Sequence, residues 1–283
     1  MTTTTGSVFR PNLWSKEVLG FVKSNLVLAN LVMHYDRDIE SAGQTVEIPN
    51  VSTITANAKA ANTQVTLNAP TETKTTITIN KHWEASFLVE DILAAQSAYD
   101  LRSEYTQAAA YAIAEKVDNE LARQMAGDAV FTGFTQTVGT YGTVLADSAI
   151  LAGQALLDAA KAPQSDRAIV VTPQGKQEML NIDKYIRYDA IGIGGSENTI
   201  KSGQIGEIYG MKVFMSQNLF VGSATPLQNK HLMFHKQACA VAIQKQPRVQ
   251  AQYKLEYLGW LVVCDMLYGL SVLRSTFGVL LKS

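Results

Sequence analysis

Chemistry in a sequence announces itself through histidines, cysteines, carboxylates and glycines at particular spacings, and these are sparse here. His231 and His235 stand four residues apart, which on a helix would put both rings on one face and allow a shared metal. The flanking Leu232-Met233-Phe234 and the later Cys239 to Ile243 favour strands, where that spacing separates the rings widely, and neither an HExxH pattern nor a third ligand accompanies them. Ordinary surface or hydrogen-bonded side chains are expected at both, and no metal. Cys239 lies in an alternating apolar stretch that points to burial rather than to an activated nucleophile, and no GxSxG supplies a serine elbow. Glu115 and Asp118 share a helical turn but need only solvation. The glycines at 192, 194 and 195 and at 203, 206 and 210 lack the GK[ST] of a phosphate loop and the strand-to-helix setting of GxGxxG, so they read as a flexible connection. No coherent active site emerges, and no catalytic residue, cofactor or metal ligand is assigned.

Lys245, Arg248 and Lys254 make the one basic cluster of note, suited either to a polyanion met by many copies or to pairs with acids such as Glu90, Asp91 or Glu104. The whole chain gives it little support: 24 Lys+Arg balance 25 Asp+Glu in 283 residues. With 17% charged and 47% hydrophobic residues the surface is thinly polar, which favours surface covered by partners. The start of the chain does not read as a secretory signal, and no apolar run approaches the roughly 20 residues of a membrane span. Synthesis in a cytoplasm and no membrane partner are the expectations. The length accommodates one large domain or two ordinary ones.

The elements that would position such residues are clearer. Residues 1–12, with Thr2 to Thr5 and Pro11, lack core periodicity and read as an arm. Trp14, Val18, Phe21, Val22, Leu26 and Leu31 suit one or two short helices, and Thr45 to Pro49 a strand. From Val51 the chain turns rich in Thr, Asn and Ala. Between Thr75 and Val89, Ile77, Ile79, Trp83, Ala85, Phe87 and Val89 share one parity, with Lys81 the exception, which predicts a strand. Gln64 to Leu67 pairing back against it would make a long hairpin in need of a surface to lie on. A long helix is predicted from near Glu90 to before Gly127, carried by Leu101, Tyr105, Ala109, Ile113, Val117, Leu121 and Met125; strict spacing of four slants its buried stripe. A helix with Asp147 or Ser148 as N-cap and Pro163 beyond it, a buried strand Arg167 to Val171, and a helix from Thr172-Pro173 through Leu180 follow. Strands are expected at 211–215, 232–234, 238–243, 249–257 and 271–273. The fold class is α+β.

In that order these elements resemble the major capsid proteins of tailed bacteriophages, with their HK97-like fold. The resemblance runs through the polar arm, the Thr-rich segment ending in INKHWEASFLVED at 79–91, the long helix, ALLDAAKAPQSDRAIVVTPQGKQEML at 155–180, GQIGEIYGMKVFMSQNL at 203–219, HKQACAVAIQKQPRV at 235–249 and LYGLSVLRSTFGVLL at 267–281. It implies an N-terminal arm and first peripheral-domain elements at 1–50, an extended loop at 51–82, a spine helix and peripheral region at 83–128, an apical domain at 129–234, and returning peripheral strands with a closing apical segment at 235–283. The implied function is noncovalent self-assembly, through hexamers and pentamers, into an icosahedral shell around double-stranded DNA, in a virion assembled in the host cytoplasm. Scaffolding, portal or decoration proteins are further partners it allows, and packaged DNA would be met through weak nonspecific contacts. A separate scaffold is expected, since no extra N-terminal scaffolding region is evident. Trp14, Thr66, Lys81, Trp83, Tyr105, Arg167 and Arg248 are the candidate assembly residues, and residues 62–76 are expected to serve assembly more than the isolated fold. Lysine-to-asparagine crosslinking, known in some members, is unassigned. An encapsulin-like shell around protein cargo shares the resemblance, and a soluble αβ enzyme with an unrecognised pocket is the alternative from another class.

Overall fold

A computed structural model describes residues 27–36, 43–51, 54–91, 101–127, 131–182, 185, 206–219, 221–222 and 228–283. In chain order the strands are β1 (Met33–His34), β2 (Thr45–Val51), β3 (Glu72–Glu90), β4 (Gln136–Gly139), β5 (Arg167–Val171), β6 (Glu207–Ile208), β7 (Met211–Met215), β8 (Val221–Gly222), β9 (Gln228–His235), β10 (Cys239–Lys254), β11 (Gly259–Val272) and β12 (Gly278–Lys282). The helices are α1 (Leu101–Ala126), α2 (Asp147–Ala159) and α3 (Pro173–Leu180). They form an α+β fold. A five-stranded sheet runs β1-β10-β11-β3-β2, and a second runs β4-β12-β9-β5-β7-β6 with β8 beside β9. The arm at 1–12, the helices expected from Trp14 to Leu26 and the glycines from 192 to 203 lie outside the described residues.

The parity of β3 governs the first sheet. Ile77, Ile79 and Val89 are buried and Thr76, Thr78, Asn80 and Glu84 exposed, as alternation dictates. Its predicted partner is corrected: residues 54–70 form no strand, and the first half of β3 pairs instead with β2, Val46 opposite Ile77 and Glu47 opposite Thr76. Val46 and Ile48 bring apolar side chains to the Ile77 and Ile79 cluster, which exposed Val65 and Leu67 do not. Thr73 to Thr76 therefore belong to a ladder of the fold, and a segment serving assembly alone must stop short of them. The second half of β3 pairs with β11 as far as Glu90 opposite Gly259. β3 ends at Glu90, Asp91 is already helical, in line with a long helix starting near Glu90, and α1 is described from Leu101.

At 1.5 Å per residue, the 26 residues of α1 span about 39 Å. Its spacing-four row drifts as expected, from Tyr105, 44% exposed, to Ile113, Val117, Leu121 and Met125, all buried. Gly127 ends the helix at φ +70°, a conformation an L side chain adopts at a cost, and its N–H donates to the Arg123 carbonyl. The strands expected at 238–243 and 249–257 merge into one continuous β10 that stops at Lys254, with Leu255–Tyr257 in a 3-10 turn instead, and β11 absorbs the apolar run from Trp260 and the expected short strand as far as Val272. Cross-strand pairing over thirteen positions overrides the Gln- and Pro-rich interruption at 244–247, which survives as two register shifts.

In the second sheet β5 is buried throughout between β7 and β9. Thr172 caps α3, its hydroxyl accepting from the Gly175 N–H at 3.1 Å, with Pro173 in the first turn where its missing N–H is harmless. The N-cap of α2 is Ala146, so Asp147 is a first-turn residue rather than a cap; its carboxylate instead accepts the hydroxyls of Tyr185 and Tyr209, each at 2.6 Å. His231 stands fully buried on β9, and a methyl on Gly175 would overlap its ring. The Thr172 N–H donates to its Nδ1 at 3.2 Å, leaving Nε2 to donate to the Ser283 hydroxyl at 2.9 Å and so tie down the end of the chain. Burial lowers the His231 pKa from 6.5 to about 4. The unfolded chain then binds a proton that the folded chain refuses. This contribution is complete above pH 6.5 and is lost as the pH falls toward 4, at up to about 1.4 kcal/mol per pH unit. Urea unfolding of the unassembled subunit across pH 7 to 4 is expected to lose stability more steeply for the parent than for His231→Gln.

Candidate assembly surfaces

Several polar clusters fix the framework before any surface is offered to a partner. Lys81, the exception to the β3 pattern, holds its ammonium 3.1 Å from Glu120 on α1 and 4.7 Å from the centre of the Phe131 ring. Glu120 also accepts the Tyr268 hydroxyl at 3.0 Å. Two residues earlier, buried Asp118 accepts the backbone N–H groups of Leu28 and Ala29 at 2.7 and 3.2 Å, and the Asn218 amide at 3.2 Å on its other oxygen. Burial pushes its carboxyl above the usual range, against the pull of these hydrogen bonds. On β10 and β11, Arg248 grips Asp265 with two hydrogen bonds, Nε to Oδ1 at 2.7 Å and Nη2 to Oδ2 at 2.9 Å, and His82 approaches at 3.3 Å. Arg248 holds the Asp265 carboxyl below its usual range. The basic cluster therefore has its middle member engaged within the chain, beside Lys245 and Lys254.

Arg167 is likewise internal: 4% exposed, it donates to the carbonyls of Ala162 and Pro163 and pairs with Asp158 at 2.7 Å, closing the end of α2 onto β5. Trp83 is 38% exposed beneath the Lys116 ammonium, 4.3 Å from its ring centre. Tyr105 meets Phe87 edge-on with ring centres 5.6 Å apart. Thr66 sits in the exposed loop, and Trp14 lies outside the described residues. The candidate residues thus do not converge on one place. Cys239 is fully buried, its thiol donating to the Ser271 carbonyl and pushed up to about 12 by burial. His235 is buried on β9, its Nδ1 accepting the Gln237 N–H.

Two features carry clusters of exposed apolar side chains. One is the loop between β2 and β3, where Ile54, Val65 and Leu67 are 69%, 61% and 88% exposed. Asn68 braces it, donating to the Thr55 carbonyl and accepting from the Asn57 amide, and Thr63 closes the tip onto the Ala60 carbonyl. The other is the β10–β11 turn, where Leu255, Tyr257, Leu258 and Trp260 stand out together, Trp260 edge-on to Tyr253. Sequence reasoning missed this second feature, although LEYLGW at 255–260 places bulky apolar residues around a glycine, where a turn rather than a core is expected. A braced loop and an apolar turn that no described residue of their own chain covers are the makings of contacts between copies.

The phage capsid protein family model matches residues 31–275, most of the chain. This chain belongs to the phage capsid protein family. Among solved structures, the chain is similar to one from Mycobacterium phage Che8, at 26% identity and a TM-score of 0.81, covering 96% of this chain and 97% of that one. It is similar in fold to a chain from the capsid of the cyanophage P-SCSP1u, at 18% identity, TM-score 0.79 and coverage of 99% and 94%. A chain of the mature capsid of bacteriophage PhiM1 follows at 14% identity, TM-score 0.74 and coverage of 96% and 91%. No curated protein matches the sequence. The HK97-like fold implied by the order of elements is the fold of this phage capsid protein.

Breaking the internal Lys81–Glu120 pair strands a carboxylate whose side chain is only 5% exposed. Lys81→Ala is expected to cost the unassembled subunit about 3 kcal/mol in urea unfolding, the low end for a broken buried pair because Lys81 is itself 19% exposed. A residue serving only contacts between subunits would leave that unfolding unchanged.

Proposed function

We propose that this phage capsid protein is the major shell subunit of a virion, closing an icosahedral shell around double-stranded DNA through hexamers and pentamers. The carrying observation is the loop over 54–70, exposed along its whole length and presenting aliphatic side chains that no described residue of its own chain covers. In this reading residues 54–70, rather than the whole of 51–82, lie across an adjacent subunit, α1 braces the peripheral sheet, and the region from 129 to 234 lies toward capsomer centres. A patch on one subunit that fits a different patch on the next generates rings, and icosahedral placement of rings closes the shell. Cohesion then comes from many moderate interfaces.

No chemical step is needed. The Lys81 ammonium is engaged by Glu120, which favours noncovalent assembly over a lysine crosslink at this position. Near-neutral charge suits repeated protein contacts and leaves DNA to weak, nonspecific interactions along the inner surface. Assembly would take place in the host cytoplasm, with scaffolding, portal or decoration proteins as further partners.

Electron microscopy of the expressed chain after sizing is expected to reveal closed shells. Isolated small oligomers under particle-forming conditions would overturn the proposal. Removing residues 57–66, clear of the β2–β3 ladder, is expected to abolish shells while shifting unfolding of the free subunit by no more than about 0.5 kcal/mol, as for surface changes away from packed features. Sedimentation and urea titration separate the two effects.

A further inference from the structure

The chain passes between the two sheets at two neighbouring places. β9 leads into β10 through the 3-10 turn Lys236–Ala238, and β11 leads into β12 through the 3-10 turn Ser275–Phe277. A few hydrogen bonds fasten these connections. The Ala238 carbonyl accepts the N–H groups of Leu273 and Arg274 at 2.9 and 3.2 Å, tying the two together, and the Asp166 carbonyl accepts the Lys236 N–H at 3.1 Å. His235 stands between the turns. Its Nδ1 accepts the Gln237 N–H at 3.2 Å and so caps the first turn, while its ring meets Phe277 of the second turn edge-on, with centres 6.0 Å apart.

We propose that His235 is a proton-operated pin of the joint between the two sheets: the neutral ring fastens both connecting turns, and the protonated ring releases them. The chemistry follows from the cap. Nδ1 can accept the Gln237 N–H only while it carries no proton, and in the imidazolium both ring nitrogens are donors. Protonation therefore sets two N–H groups against each other at the first turn, beside the ring of Phe277 that belongs to the second. The surroundings decide when this happens. Burial lowers the His235 pKa below its ordinary 6.5, with Asp166 pulling the other way and Arg167, directly across the β5–β9 ladder, adding to the fall. Lys236 next in the chain and Arg274, 5.0 Å from the Phe277 ring centre, bring two further positive charges to the joint. The contribution of the neutral ring is complete above pH 6.5 and is lost as the pH falls toward the folded-state value. Protons have a route to it: although His235 is 4% exposed, it lines a partly open depression of about 250 Å³ with Ser165, Asp166 and Gln237. His231 on the same strand is bonded within the second sheet and weighs on the whole fold, whereas His235 weighs on the joint.

Hydrogen exchange of the unassembled full chain between pH 7.5 and 5, read by mass spectrometry and corrected for the intrinsic pH dependence of exchange, tests the pin. Between pH 6.5 and the folded-state pKa of His235, protection of the amides at 236–240 and 271–276 is expected to fall about tenfold per pH unit, the slope of one linked proton. Val170 on β5, buried at the centre of the second sheet, records opening of the whole subunit and is expected to lose less. His235→Asn keeps an accepting oxygen at the cap and does not titrate, so its protection at both turns is expected to stay level across the range. His235→Leu, with no acceptor, is expected to exchange fast at both turns at every pH. Level protection in the parent, an equal fall in His235→Asn, or a fall at the joint that only tracks Val170 overturns the proposal. If His235→Leu does not fold, the parent and His235→Asn profiles decide the outcome by themselves.

Discussion

Everything in this subunit depends on holding α1 in place from two sides. Asp118 and Glu120 are two residues apart, which turns their side chains roughly 200° around the helix axis. Asp118 takes hold of the Leu28 and Ala29 backbone and of Asn218, while Glu120 takes hold of Lys81 on β3 and Tyr268 on β11. Buried carboxylates are costly unless every lone pair is answered, and here the answers come from four separate parts of the chain. Apolar packing of Ile113, Val117, Leu121 and Met125 supplies attraction without direction. The two carboxylates supply the direction.

With the helix fixed, the first sheet can extend beyond its own core. The buried part of β10 ends near Ala242, and residues 245–252 are exposed although they remain paired to β11. Arg248 and Asp265 join the strands where β10 has lost its cover, close to the register shifts at 243–248. The apolar turn at 255–260 and the loop at 54–70 are thereby held away from the core on ordered supports. Both are apolar surfaces displayed on a rigid frame.

The second sheet is a more conventional core, and its polar groups point inward to satisfy one another. His231 links β9, the cap of α3 and Ser283, and the paired Tyr185 and Tyr209 hydroxyls on Asp147 tie the segments flanking 186–206 to the start of α2. These contacts join positions 38 to 62 residues apart. They were invisible to spacing rules, which reach only a few turns along the chain.

Local period was legible in the sequence: the parity of β3, the spacing-four row of α1, the apolar run Ala168 to Val171 of β5 and the Thr172-Pro173 start of α3 are each set by neighbours within one element. The order of those elements was enough to recognise the fold. Which strands pair was not. The partner of β3 depends on whether β2 or residues 64–67 can cover Ile77, a competition between segments about 30 and 10 residues away that local alternation cannot rank. The roles of Lys81, Arg167 and Arg248 turned on the same limit, since a charged side chain is an assembly contact or an internal one according to which carboxylate or carbonyl the fold carries to it. Sequence determined the elements because backbone geometry repeats over short distances. Tertiary structure alone decided the surfaces, because exposure is what remains after every long-range pairing has been made.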